Sequence, residues 1–247
     1  MDSLLSQLRT FAERKKPWIQ SHPVRFAVYG MSAFVFAEYL ALPNTSLQVL
    51  RTHHPSITAV MEQRIDEAEA KGKKLVLYKR WVPLSKISPN LIHAVIVSED
   101  GTFYSHEGVD WYEVEESIKK NIERGKAARG GSTISQQLSK NLYLSTSKDP
   151  IRKLKELIIT LRMERILSKR RILELYLNLI EWGNGVFGAE AAAQKYFHKP
   201  ASELTREEAA LLAAVIPNPR RYSVTHPSQY ILKRESTILS RMSIRGF

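Results

Sequence analysis

The sequence predicts a mainly α-helical protein with one N-terminal transmembrane helix, and three observations carry that prediction. Residues 24–42 form a nearly unbroken apolar run, close to the roughly 20 residues that cross a bilayer. Beyond Ser88 the apolar residues recur at helical spacing, with capping residues where the runs begin. Strand candidates are confined to Leu75–Tyr78 and Trp81–Leu84, both short. A chain of 247 residues, 43% hydrophobic, can bury one sizeable core or two small lobes. The net charge of +12 calls for an anionic partner: nucleic acid, a phosphate-bearing substrate or an anionic membrane surface. The absence of cysteine excludes a disulfide framework and thiolate metal sites.

Arg9, Arg14, Lys15, Lys16 and Arg25 precede or open the apolar run and only Arg51 follows closely, which places the N-terminus in the cytoplasm and the bulk outside. Glu38 is costly inside a bilayer, and a buried core helix is the competing reading. Four segments follow: a basic cytoplasmic segment 1–23, an anchor 24–42 ended by Pro43, a stalk 43–72 with an amphipathic helix over Met61–Lys71, and a catalytic domain 73–247.

Ser88 and Pro89 start a helix whose apolar stretch Leu91–Val97 runs into Glu99 and Asp100. A carboxylate at a helix C-terminus meets the negative end of the dipole, which disfavours its ionised form and suits Glu99 to act as a base. The bland alternative is a solvated acidic helix end. Asp110 precedes Trp111, Tyr112 and Glu113 as a helix cap, and His106, with no second ligand at metal spacing, reads as a packed polar residue.

Gly130 and Gly131 lead into a helix that Ser132 or Thr133 can cap, with Gln136 three residues after Thr133 at capping-box spacing. Ile134, Leu138 and Leu142 make its buried stripe and leave Gln136 and Lys140 on another face. Free amides, hydroxyls and a lysine at a helix start suit a phosphate, although the spacing is not that of a nucleotide loop; an ordinary capped helix is the alternative. Asp149 and Pro150 open a longer helix in which Leu154, Leu157, Ile158 and Leu161 are the expected core stripe and Arg152 pairs with Glu156 at i, i+4, as a surface ion pair would. The segment Lys169–Asn178 reads as a buried central helix in which Glu174 and Asn178 need partners. Thr205 and Glu208 cap an alanine-rich helix that stops before Pro217.

In chain order these residues resemble the peptidoglycan glycosyltransferases, and by size the monofunctional biosynthetic transglycosylases of glycosyltransferase family 51. The resemblance runs from about Trp81 to Met242 through Glu99–Gly108, Gly130–Gln137, Arg152–Glu156, Ile172–Asn178 and finally Lys233-Arg234 with Ile238-Leu239. Departures are mild: Ser135 stands where threonine is frequent, Lys233 where arginine is usual, and Gly101 follows the acidic pair.

The resemblance implies a lysozyme-like bilobal domain that polymerises lipid II at the cell inner membrane. It implies that Glu99 deprotonates the 4-hydroxyl of the acceptor, which attacks the growing glycan chain with inversion and release of undecaprenyl pyrophosphate. Lys140, Arg152, Lys148 and Lys153 would hold the pyrophosphate together with a divalent cation, Mg2+ or Mn2+. Glu156 would be the second catalytic carboxylate. Gly130, Ser132, Thr133, Gln136, Gln137 and Asn141 would shape the cleft, with Asp100, Phe103, His106, Glu174 and Asn178 as supporting motif residues. Partners implied are lipid II, the growing chain, the bilayer and cell-wall synthesis or division proteins, and no nucleic acid. Two rivals remain at this point: a lytic enzyme of lysozyme-like fold that cleaves glycan, and a membrane-tethered basic binding module. Ser117–Lys120 and Ser145–Lys148 both fit Ser-x-x-Lys, but no Ser-Asp-Asn or Lys-Thr-Gly follows, so a fused transpeptidase is excluded.

Overall fold

The computed structural model describes residues 22–41, 44–124, 131–147 and 149–247. The chain divides into two compact units, 1–43 and 44–247. In the first, α1 (Pro23–Ala41) spans residues 24–41 of the expected anchor 24–42, whose last residue lies outside the described residues. Among the described residues no helix is long and apolar enough to cross a membrane.

The second unit is mainly helical. In chain order it contains α2 (Asn44–Val49), α3 (Ala59–Glu69), β1 (Tyr78–Lys79), α4 (Pro89–Glu99), α5 (Trp111–Arg124), α6 (Ile134–Tyr143), α7 (Pro150–Ile166) and α8 (Lys169–Leu179). It continues with β2 (Glu181–Gly183), β3 (Val186–Phe187), α9 (Ala189–Phe197), α10 (Arg206–Val215) and α11 (Gln229–Ile244). Local chemistry sets the helix starts. Ser88 accepts from Asn90 N–H, Asp149 from Ile151 and Arg152 N–H, and the capping boxes Thr133/Gln136 and Thr205/Glu208 both form. α3 covers most of the helix expected over Met61–Lys71.

α4 packs between α10 and α11, burying Leu91, Ala94 and Val95, while α6 packs against α3, α7 and α8. α8 is the expected central helix, with Ile172, Leu173, Leu175, Tyr176, Leu177, Asn178 and Leu179 all buried. These two packings bring the C-terminus of α4 and the N-terminus of α6 together, because the Asp100 carboxylate that ends one accepts the Ile134 N–H that begins the other.

Three sequence expectations change. The strand over Leu75–Tyr78 shrinks to Tyr78–Lys79, which pairs parallel with β3. Trp81–Leu84 is not a strand: the Asn178 side chain accepts Val82 N–H at 3.0 Å and donates to Val82 C=O at 2.9 Å, standing in for a neighbouring strand. β2 and β3, which the sequence reading omits, form an antiparallel pair around Asn184-Gly185, with Gly185 at φ 71°. Asn-Gly is a strong short-range hairpin signal, and Gly takes the positive φ without strain.

A further change concerns α7. Leu154, Leu157 and Ile158 are half-buried and Leu161 is exposed, so they are not its core stripe. Glu156, Ile159, Thr160 and Met163 face inward instead, since Thr160 donates to Ser139 of α6 at 3.0 Å and Glu156 gathers two cations. Polar contacts that bridge two helices outweigh the local apolar pattern here.

Replacing Asn178 with alanine strands both Val82 backbone groups, and an unpaired buried group costs about 1–3 kcal/mol. Asn178→Ala is expected to lower the thermal midpoint by several degrees in a circular dichroism melt, whereas an unchanged midpoint would mean that other contacts hold the 81–84 segment.

Candidate active site

Glu99 is the last residue of α4 and lines a cavity of about 650 Å³. Ser132, Thr133 and Gln137 of the glycine-led segment line it from one side, and Arg234, Arg241 and Arg245 of α11 and its C-terminal end from another. The Gln137 amide donates to Glu99 Oε2 at 3.0 Å, and Arg234 Nη2 lies 3.9 Å from Oε1. Both contacts favour the ionised carboxylate, in opposition to the helix end on which Glu99 sits.

Asp100 is not the solvated partner of an acidic pair, for it is 6% exposed. Its Oδ2 accepts Ile134 N–H at 2.9 Å and its Oδ1 meets His106 Nε2 at 2.9 Å. Since Gly108 N–H donates to His106 Nδ1, the imidazole carries its proton on Nε2 and gives it to Asp100. His106 is thus a packed structural residue. Phe103 is fully buried beneath the Lys169 ammonium, 4.6 Å from its ring centroid. Asp110 caps α5 by accepting Glu113 N–H at 2.9 Å, and it also accepts the Thr102 hydroxyl. Burial pushes its carboxyl up, but the Thr102 and Glu113 hydrogen bonds and His106 outweigh that and hold it below the usual range.

A second cluster lies beside the first. Glu156 is 2% exposed, and its oxygens take Arg152 Nη1 at 2.6 Å and Lys153 Nζ. The pair expected as an ordinary surface contact therefore has a buried carboxylate at its centre. Lys153 also donates to Ser132 Oγ at 3.1 Å, which joins this cluster to the cavity wall. Burial lowers the Lys140 ammonium below its ordinary range, the Arg152 and Lys153 charges act in the same direction, and Glu156 and Glu99 oppose them.

The remaining expected site residues divide. Gln136 completes the capping box with Thr133, whose hydroxyl donates to Gly108 C=O at 2.6 Å, so both act on the fold of the wall. Asn141 donates to Gln137 C=O at 2.8 Å, while Glu174 pairs with Arg171 at 3.2 Å and Asn178 holds Val82. Gly130 and Lys148 lie outside the described residues. The sequence reading passes over Tyr176, Arg234, Arg241 and Arg245 as site residues. Tyr176 and Arg234 fall within quoted motifs, and that is the signal that marks them.

The transglycosylase family model matches residues 68–243, which span both clusters. The chain belongs to the transglycosylase family. It is 49% identical over 190 residues to a biosynthetic peptidoglycan transglycosylase of Nitrosospira multiformis, covering 77% of this chain and 83% of that protein. The protein of the same name from Chromobacterium violaceum is 50% identical over 191 residues, with the same coverages, and that of Aromatoleum aromaticum is 54% identical over 169 residues, covering 68% of this chain and 74% of that protein.

In this transglycosylase a lysine with a lowered folded pKa destabilises the fold wherever it is charged, and the penalty fades as pH rises through the folded value. Lys140→Met is therefore expected to raise the midpoint at neutral pH by about 2–4 °C, as for ~1 kcal/mol in a domain of this size. Melts of parent and variant should converge toward alkaline pH; a parent that is the more stable at neutral pH would overturn this account of Lys140.

Proposed function

We infer that this transglycosylase polymerises lipid II into glycan strands, so that it is a peptidoglycan glycosyltransferase acting on the periplasmic side of the membrane. The observation that carries its mechanism is the carboxylate of Glu99, held by Gln137, together with the desolvated Lys140 and the Arg152 and Lys153 pair on Glu156. In the proposed step Glu99 takes the proton of the acceptor 4-hydroxyl as that oxygen bonds to the anomeric carbon of the growing chain. The anomeric C–O bond to pyrophosphate breaks on the opposite face, with inversion, and the electron pair leaves with undecaprenyl pyrophosphate. Lys140, Arg152 and Lys153, with Lys148, would meet that growing negative charge, and partly desolvated cations are worth most at such a point. Glu156 would hold Arg152 and Lys153 in place between turnovers. A lytic enzyme expels no pyrophosphate and needs no such cluster, which favours transfer over cleavage.

A divalent cation is proposed only as a companion of the substrate pyrophosphate. Both Glu156 oxygens are already engaged by cations, and among the described residues no group of three or more His, Asp or Glu could hold a metal ion. Among the described residues no site is built for it, and no step is assigned to it. We further propose that residues 24–42 anchor the chain in the inner membrane with the N-terminus cytoplasmic, that 43–72 is a stalk, and that residues 73–247 take the lysozyme-like bilobal form of the family. The apolar composition of the run and the basic residues before it support the anchor. Proteins of cell-wall synthesis or division are its proposed partners.

The test is polymerisation of fluorescent lipid II by the detergent-purified chain, resolved on a gel with and without muramidase. A muramidase-sensitive ladder is expected from the parent, with a rate loss of about 10²–10⁴ in Glu99→Gln and about 10²–10³ in Lys140→Ala or Arg152→Ala. Cleavage of finished peptidoglycan without consumption of lipid II would reverse the reading.

A further inference from the structure

Gln137 touches Glu99 through one end of an amide, and the other end is held from below. Its Nε2 donates to Glu99 Oε2 at 3.0 Å and to Ser132 C=O at 3.3 Å, while its Oε1 accepts the Tyr176 hydroxyl at 2.9 Å. Because Ser132 C=O can only accept, the nitrogen must face Glu99 and the oxygen must face Tyr176. Tyr176 stands in the middle of α8 with no exposed surface. Burial above all, and then the Glu99 and Asp100 charges, push its phenol well above the ordinary range, so it remains a proton donor at any working pH.

We propose that Tyr176 is a positioning residue for the proposed base: its buried hydroxyl fixes the Gln137 amide in the orientation that keeps a hydrogen-bond donor on Glu99. The inference rests on reading Glu99 as the base. A phenylalanine would fill the same volume, so packing alone does not call for the hydroxyl. Without it the amide oxygen loses its donor, and only the long Ser132 contact opposes rotation of the amide. A turned amide would present its oxygen to the carboxylate, and the ionised form of Glu99 would lose the hydrogen bond that Gln137 donates. The charged groups of the surrounding elements stay in place: Arg234 at 3.9 Å, with Arg241 and Arg245, from α11 and its end, Asp110 and Glu113 at the start of α5, Lys140 on α6 and Asp100 beside it in sequence. Any shift therefore reports on the amide.

The experiment is the pH–rate profile of lipid II polymerisation for the parent, Tyr176→Phe, Gln137→Met and the double variant. Glu99 is titrated alongside in the full-length protein by ¹³C NMR of labelled glutamate side chains, with Glu99→Gln identifying its signal. Loss of one donor is expected to move the acid limb and the Glu99 midpoint up by about one pH unit. Each single variant should show this shift, and the double variant should add nothing further. An unmoved midpoint in Tyr176→Phe would sink the proposal, as would a double variant whose shift is the sum of the two. A Tyr176→Phe protein that fails to fold would make the hydroxyl a stability element and would equally overturn it. If the parent makes no ladder, the base reading fails by itself, and the Glu99 midpoints still decide whether Tyr176 acts through Gln137.

Discussion

The Asp100 carboxylate holds the two halves of the site in register. One oxygen takes the first free N–H of α6 and the other takes the His106 ring, while its own backbone ends α4. The buried charge is satisfied by a helix N-terminus and an imidazole donor, which is how a carboxylate can be only 6% exposed. Glu99 precedes it by one residue and Gln137 follows Ile134 by three, so the distance between base and amide is set by this one junction. Thr133 reinforces it by donating to Gly108, on the loop that His106 also braces.

The cationic cluster has a different physical logic. Arg152 and Lys153 share one carboxylate, Glu156, whose charge also acts on Lys140, and Lys140 bears a desolvation cost of its own. Such an arrangement is poorly neutralised by its own carboxylate and well matched to a ligand with more negative charge than one carboxylate supplies. If the cluster holds the pyrophosphate as proposed, it gives up stability for affinity, the trade expected where function and folding make opposite demands on one residue. Lys153 spans from Glu156 to Ser132, so rearrangement on one side is felt on the wall that carries Gln137.

Elements fixed by near neighbours along the chain are legible from the sequence alone. The caps at Ser88, Thr133, Asp149 and Thr205 each depend on residues within three positions, and all of them form. The family motifs locate Glu99, Gln137 and the Arg152–Glu156 pair. The Asn184-Gly185 turn carries a readable signal too, but strands of only two and three residues give no alternation to go with it. The facing of α7 is not legible, because its apolar stripe is real while its orientation comes from Thr160–Ser139 and from a buried Glu156, contacts made across the fold. Arg234 illustrates the same limit. Nothing near it in sequence says that its guanidinium donates to Ala214 C=O and points its far nitrogen toward a carboxylate on another helix.

Glu99 sits where opposing influences meet. The end of α4 disfavours its charge, and the Gln137 amide and Arg234 favour it. A base in a glycosyl transfer must be ionised before the reaction and must accept a proton during it, so neither influence can dominate without loss. A neutral amide is suited to this balance because it stabilises the carboxylate by one hydrogen bond rather than by a full charge. The direct cation, Arg234, is held at 3.9 Å, beyond hydrogen-bonding reach, with its Nε engaged by Ala214. Direct ion pairs at hydrogen-bonding distance are found instead at Glu156, which holds Arg152 and Lys153. On the proposed roles of Glu99 as base and of the Glu156 cluster as pyrophosphate site, a hydrogen-bonding amide at the one and direct ion pairs at the other suit the different demands of proton transfer and leaving-group stabilisation.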